Sequence, residues 1–268
     1  MLGGRDGLPD LLGYTWATNR YTVTFMADPT HPRDYAFTAG LSREQWAWEF
    51  LRRNPDYRRD WAAFDATWRD LEAVYGRPPN RDLTAWKQDP RAWVHVSECP
   101  EGECRVDQDK VLIECALGAR WGFHKFPPDP ADDDPVGGGR LTWRERPADQ
   151  ALELGPGDGA WLGADRGRVA LGFDLRLPLR DQIEQAKRHL QMAQRQRVRD
   201  GSVVPASVAG LRDCWTRCLR LFDAESPDPA ARTPLEQLAG EWSAAWLLAE
   251  AHRLRDGGYL DILRLPEA

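Results

Sequence analysis

LSREQWAWEFLRRNPDYRRD, residues 41–60, decides the fold class of this chain. Ser42 is a helix start, because its hydroxyl can accept from the unpaired N–H groups of a first turn. Trp46 and Trp48 follow on that turn and the next. Asn54 then restarts the chain, with Pro55 at a first helical position where its missing N–H costs nothing. The stretch predicts two helices with a capped break. None of its side chains forms a catalytic pattern, so it argues for a scaffold that packs and binds.

Working outward, the second helix is the clearest in the chain. Tyr57, Trp61, Phe64, Trp68, Leu71 and Tyr75 recur at steps of four and three, which lines one helical face. Gly76 and the Pro78-Pro79 pair end it. If that face is buried, Trp61→Ala is expected to cost roughly 3–5 kcal/mol. Residues 1–40 read as loop with one alternating strand at 21–25. Residues 80–176 change character. Strands are predicted at 93–96, 111–117, 140–144 and 169–175, bounded by Gly, Pro or Asp clusters. The acidic run 129–139 reads as a solvated loop, and the glycines of 155–159 and 163–167 as hairpin turns.

From Pro178 the pattern is helical again. Leu179, Ile183, Ala186, Leu190 and Ala193 form one stripe; Val208, Leu211, Trp215, Cys218 and Phe222 form the next. Helices are predicted over 206–224, 234–240 (capped by Thr233) and 242–256, with Gly257-Gly258 ending the last. Those lengths and joints suit a helix-turn-helix arrangement. The fold class expected is α+β, mainly helical. An N-terminal helical region (1–80) leads into a strand-containing middle with a small antiparallel sheet (81–176). A C-terminal trihelical, helix-turn-helix-like region (177–268) follows.

The composition is that of a globular protein with a sizeable core. The formal net charge is −6, so any nucleic-acid contact needs a local basic face. No run long and apolar enough for a transmembrane span occurs, and the first residues lack a secretory signal pattern. The five cysteines do not resemble a disulfide framework. The expectation is a cytoplasmic protein with reduced thiols.

Chemistry finds little to use. Cys99, Cys104, Cys115 and His124 are spaced too widely for a usual structural zinc site, which takes two tight pairs. His31, His95, His124, His189 and His252 lack sequence partners for a nucleophile. The glycine-rich segments lack the phosphate-loop lysine and the dinucleotide pattern. No enzyme activity, cofactor or metal is therefore expected. The positive signal is a basic face. Residues 178–199 carry six cations (Arg180, Lys187, Arg188, Arg195, Arg197, Arg199) against Asp181 and Glu184, a net +4. With the apolar stripe expected to face a core, the cations are left to solvent, where they can neutralise phosphates. On charge alone an ordinary solvated helix face accounts for them equally well. Residues 206–264 are by contrast net −2, with an apolar last helix.

LSREQWAWEFLRRNPDYRRDW resembles the N-terminal domain of proteobacterial transcriptional-regulator-like proteins. FDLRLPLRDQIEQAKRHLQ and AHRLRDGGYLDILR are similar to the DNA-binding domain of the RovC-like transcription factors of type VI secretion, and WGFHKFPPDP fits a short segment between the two. The resemblance touches both ends and one middle point. It implies a C-terminal DNA-binding module, double-stranded DNA as partner and a role in transcription. Repeated half-sites further favour a symmetric homo-oligomer. On its motifs Lys187, Arg188, Arg253 and Arg255 become DNA-binding candidates. Charge alone adds Arg195, Arg197 and Arg199. The chain departs from the family at 244–251, which is apolar and acidic where relatives tend to be arginine-rich. The competing expectation is a protein-interaction or assembly module that kept the fold and lost DNA contact, motivated by that acidic balance and by Trp242, Trp246 and Leu247.

Overall fold

The structure, a computed structural model, describes residues 27–99, 104–144, 169–225 and 235–268. It is mainly helical with one small sheet. After a 3-10 helix at Pro32–Gly40 come α1 (Arg43–Leu51), α2 (Pro55–Tyr75) and α3 (Leu83–Trp86). Then follow β1 (Trp93–His95), β2 (Lys110–Leu112) and α4 (Ile113–Trp121). The remaining helices are α5 (Leu179–Arg199), α6 (Val208–Ala224), α7 (Leu235–Ala239), α8 (Ala244–Arg253) and α9 (Tyr259–Ile262). One compact unit falls within Met1–Arg144 and Arg212–Arg264, the other within Glu145–Leu211 and Leu265–Ala268.

The opening stretch folds as its caps dictate. Ser42 accepts from the Gln45 amide while the Gln45 side chain accepts from Ser42 N, a reciprocal capping box. Asn54 Oδ1 accepts from the amides of Asp56 and Tyr57, with Pro55 in the first turn. Gly76, at φ 82°, ends α2 in a backbone region that disfavours a Cβ. The predicted strand at 111–117 is corrected: only 110–112 is extended, pairing antiparallel with β1 in the register Val94 to Val111. The rest is α4, rich in the good helix formers Glu, Ala and Leu. Residues 140–144 contribute one isolated bridge, Phe123 to Trp143. The segment 169–175 is not a strand; Asp174 turns it by accepting from the Arg176 amide. The last predicted helix is shorter than expected. It kinks at Leu254–Gly258, where Gly257 takes φ 132°. The expectations at 21–25, 155–167 and Thr233 lie outside the described residues.

Tryptophan fills the core of the first unit. Trp46 and Trp48 are buried on α1; Trp46 meets Trp215 of α6 at 5.3 Å between ring centres, and Trp48 meets Tyr57 edge-on. Trp68, Leu71, Trp86 and Ala92 make a second cluster, with Arg81 stacked 4.0 Å over Trp86. Trp61 sits at the rim, half-buried, its indole N–H donating to Pro127 O. Trp68→Ala is therefore expected to cost roughly 3–5 kcal/mol, and Trp61→Ala clearly less. Urea denaturation of the two variants measures the difference; equal losses would place Trp61 in the core.

A buried ionic staple ties α1 to α6. Arg53 pairs with Glu49 at 2.6 Å and with Asp223 at 2.8 Å, and the Tyr35 hydroxyl donates to Asp223. The acidic loop is also tied down. Arg52 reaches Asp133, Arg140 grips Asp132, and the Trp48 indole donates to Asp132 O.

Glu114, on the first turn of α4, is buried, and its Oε2 makes no hydrogen bond. Burial pushes its carboxyl up to about 7, against the pull of Arg81, Lys125 and Lys87. The folded state thus binds a proton that the unfolded chain has already lost above the ordinary carboxylate range. The stabilising contribution is fully present at acid pH and is lost as pH rises towards 7. Glu114→Gln is expected to flatten that loss, so the variant gains on wild type between pH 5 and 8. Parallel pH profiles of thermal stability check the sign.

Candidate nucleic-acid interface

The basic candidates divide between the two compact units, and their surroundings differ. In the second unit α5 runs for 21 residues without burying one. The expectation that its apolar stripe faces a core is corrected. Ile183 is 53 % exposed and Leu190 42 %. The stripe forms one wall of an open groove of about 600 Å³, with Val169, Phe173 and Val203 on the other side. No described segment lies in that groove deeply enough to take the stripe out of water.

Around the helix, at about 100° per residue, Arg180, Lys187, Arg188, Arg195 and Arg199 fall within an arc of roughly 120°. Asp181 and Glu184 share the arc. Even so, none of those five cations makes an ion pair with a described carboxylate. Arg188 Nε donates to the Glu184 backbone carbonyl instead. A helix of this length presents the arc over about 30 Å, a span that covers several phosphates of a duplex. Arg197 stands apart: it is partly buried on the apolar stripe and lines the groove.

Arg253 and Arg255, in the first unit, are in a different state. Arg253 pairs with Glu250 at 2.7 Å and reaches Asp261 at 3.5 Å. Arg255 pairs with Asp256 at 2.6 Å, stacks over Phe222, and is largely covered. These pairings hold both guanidinium groups firmly charged, and the carboxylates offset the charge a phosphate would meet. Arg217 and Arg264 are likewise paired, with Asp213 and Asp261, and Arg220 donates to Pro29 O. The Glu250-to-Arg253 spacing on one helix face is a readable signal for this neutralisation.

Trp242 and Trp246 stack at 5.4 Å and stand 43 % and 49 % exposed, while Leu247 is fully buried. Cys104 and Cys115 are joined in a disulfide, which corrects the expectation of reduced thiols throughout. Among the described residues no three potential metal ligands converge, and no helix is long and apolar enough to cross a membrane.

Residues 28–86 match the proteobacterial transcriptional regulator-like domain. The match runs from the 3-10 helix through α1, α2 and α3, and includes the capped break at Asn54. The regulator-like domain thus holds Trp46, Trp48, Trp68, Trp86 and Arg53, while Trp215 and α5 lie outside it. No curated protein and no solved structure matches the chain.

Proposed function

We propose that the protein is a DNA-binding transcription regulator of the RovC-like kind that grips double-stranded DNA through the basic arc of α5. The observation that carries this reading is the set of cations at Arg180, Lys187, Arg188, Arg195 and Arg199, none paired with a described carboxylate, in a chain of net charge −6. The regulator-like match at residues 28–86 supports a regulatory role. Lys187, Arg188, Arg195 and Arg199 neutralise phosphates. Arg197, Arg253 and Arg255 contribute less, because groove packing and carboxylate partners already engage them. The protein acts without catalysis, cofactor or metal, in the cytoplasm, and as a symmetric homo-oligomer that matches repeated half-sites.

Fluorescence anisotropy against promoter DNA of its own operon, beside an unrelated duplex of equal length, tests the reading. Tighter binding to the promoter supports a sequence-specific regulator. No binding to either duplex at low salt would remove it.

One observation favours the second reading, a protein-interaction module. The α5 stripe and the Trp242–Trp246 stack leave apolar surface in water, which marks interfaces. That surface would also serve self-association. A chain that forms oligomers yet ignores DNA would select this alternative.

A further inference from the structure

Three of the five cysteines gather in one place. Cys99 and Cys104 pack against an apolar cluster built on Val111, Cys115 and Ala116. The Cys104–Cys115 disulfide joins the segment before β2 to the first turn of α4. Cys99 is a free thiol; its Sγ lies 3.7 Å from the carbonyl of Ala116, the residue next to Cys115. It also lines an open cavity of about 650 Å³ and so is reachable from solvent.

We propose that Cys99, Cys104 and Cys115 form a thiol–disulfide exchange site that reacts with small thiols of the glutathione class. Exposure sets the direction of attack. Cys104 is half-buried whereas Cys115 is 1 % exposed, so an incoming sulfur meets Cys104. Attack at Cys104 breaks its bond to the covered Cys115, which is therefore the leaving group.

The step balances within the protein. The Cys99 thiolate attacks Sγ of Cys104, and a Cys99–Cys104 bond forms as the Cys104–Cys115 bond breaks. The electron pair stays on Cys115, and the proton given up by Cys99 passes through water to it. A small thiolate attacking Cys104 first gives a mixed disulfide, which Cys99 resolves to the same product while releasing the small thiol. No net oxidation occurs in either route. A further two equivalents of small thiol reduce the Cys99–Cys104 bond and leave as their own disulfide. Exchange moves the covalent tie from β2–α4 into the 99–104 segment. That frees the start of α4, a helix that packs against α2 of the regulator-like domain through Trp121 and Tyr57.

The test holds the full chain in glutathione buffers of graded redox ratio, quenches with acid, alkylates free thiols and maps disulfides by mass spectrometry. The expected result is Cys104–Cys115 under oxidising buffer and, at intermediate ratios, Cys99–Cys104 with Cys115 alkylated. In Cys99→Ser and Cys99→Ala, glutathione on Cys104 should replace that species, with Cys115 again free. Tryptophan fluorescence confirms that the variants stay folded, and the near-isosteric serine guards against loss of packing. The proposal fails if Cys104 and Cys115 open together while Cys99 stays free in wild type and variants alike. It also fails if Cys99 bonds to Cys115 with Cys104 free, or if Cys104–Cys115 does not form under oxidising buffer.

Discussion

Replacing Arg188, Arg195 and Arg199 together by alanine is expected to weaken DNA binding at least about tenfold, and to lower the salt dependence by roughly 0.9 for each phosphate no longer neutralised. The argument is electrostatic. These side chains project from a helix that buries nothing, and no described carboxylate pairs with them. Their charge is therefore available to displace counterions from a polyanion. The same exposure predicts almost no loss of stability, since substitutions on an open helix face rarely exceed about 0.5 kcal/mol. Arginine to alanine even favours the helix slightly. Arg253→Ala is the matched control. Its charge is spent on Glu250 and Asp261, so it should change affinity far less. Titrations at several salt concentrations measure both. If Arg253→Ala costs more than the triple variant, the interface lies on α8.

Arg53→Ala is expected to destabilise the protein by about 3–5 kcal/mol, the usual cost of leaving buried charge without its partner. Arg53 bridges Glu49 on α1 and Asp223 on α6, 170 residues away in sequence. Its side chain is 9 % exposed. Removing it leaves two carboxylates facing each other in a site with little water to screen them. Glu49 keeps Arg52 at 3.2 Å and Tyr35 still donates to one Asp223 oxygen, so the loss falls mainly on Asp223. Asp223→Asn should cost less, since the amide still accepts from Arg53 and Glu49 still neutralises it. Chemical denaturation of both variants reads the difference. A near-neutral Arg53→Ala would mean that the α1–α6 junction is held by Trp46 and Trp215 alone.

Much of the helical scaffold is legible in residues 41–75, because caps are local. Ser42, Gln45, Asn54 and Pro55 act within one turn, and the α2 stripe repeats long enough to fix its period. The strand–helix confusion at 111–117 has a known cause: a short apolar run carries no period that separates the two. The disulfide is illegible for another reason. Pairing depends on Cα atoms 5.8 Å apart, which spacing along the chain does not report. The Arg53–Asp223 staple is hidden in the same way by its sequence separation. The candidate site is half legible. Periodicity predicts α5 and its charge, yet periodicity says only that a face is apolar, never what covers it. The acid–base pairs around Arg253 and Arg255, by contrast, can be read from the Glu250 and Asp256 positions.

Hydrogen exchange along the full chain, with and without promoter DNA at low salt, tests the central claim most directly. The account predicts slowed exchange across Leu179–Arg199 on DNA addition, with Ala244–Arg253 unchanged. Slowing confined to Ala244–Arg253, with Leu179–Arg199 unaffected by DNA, would contradict it.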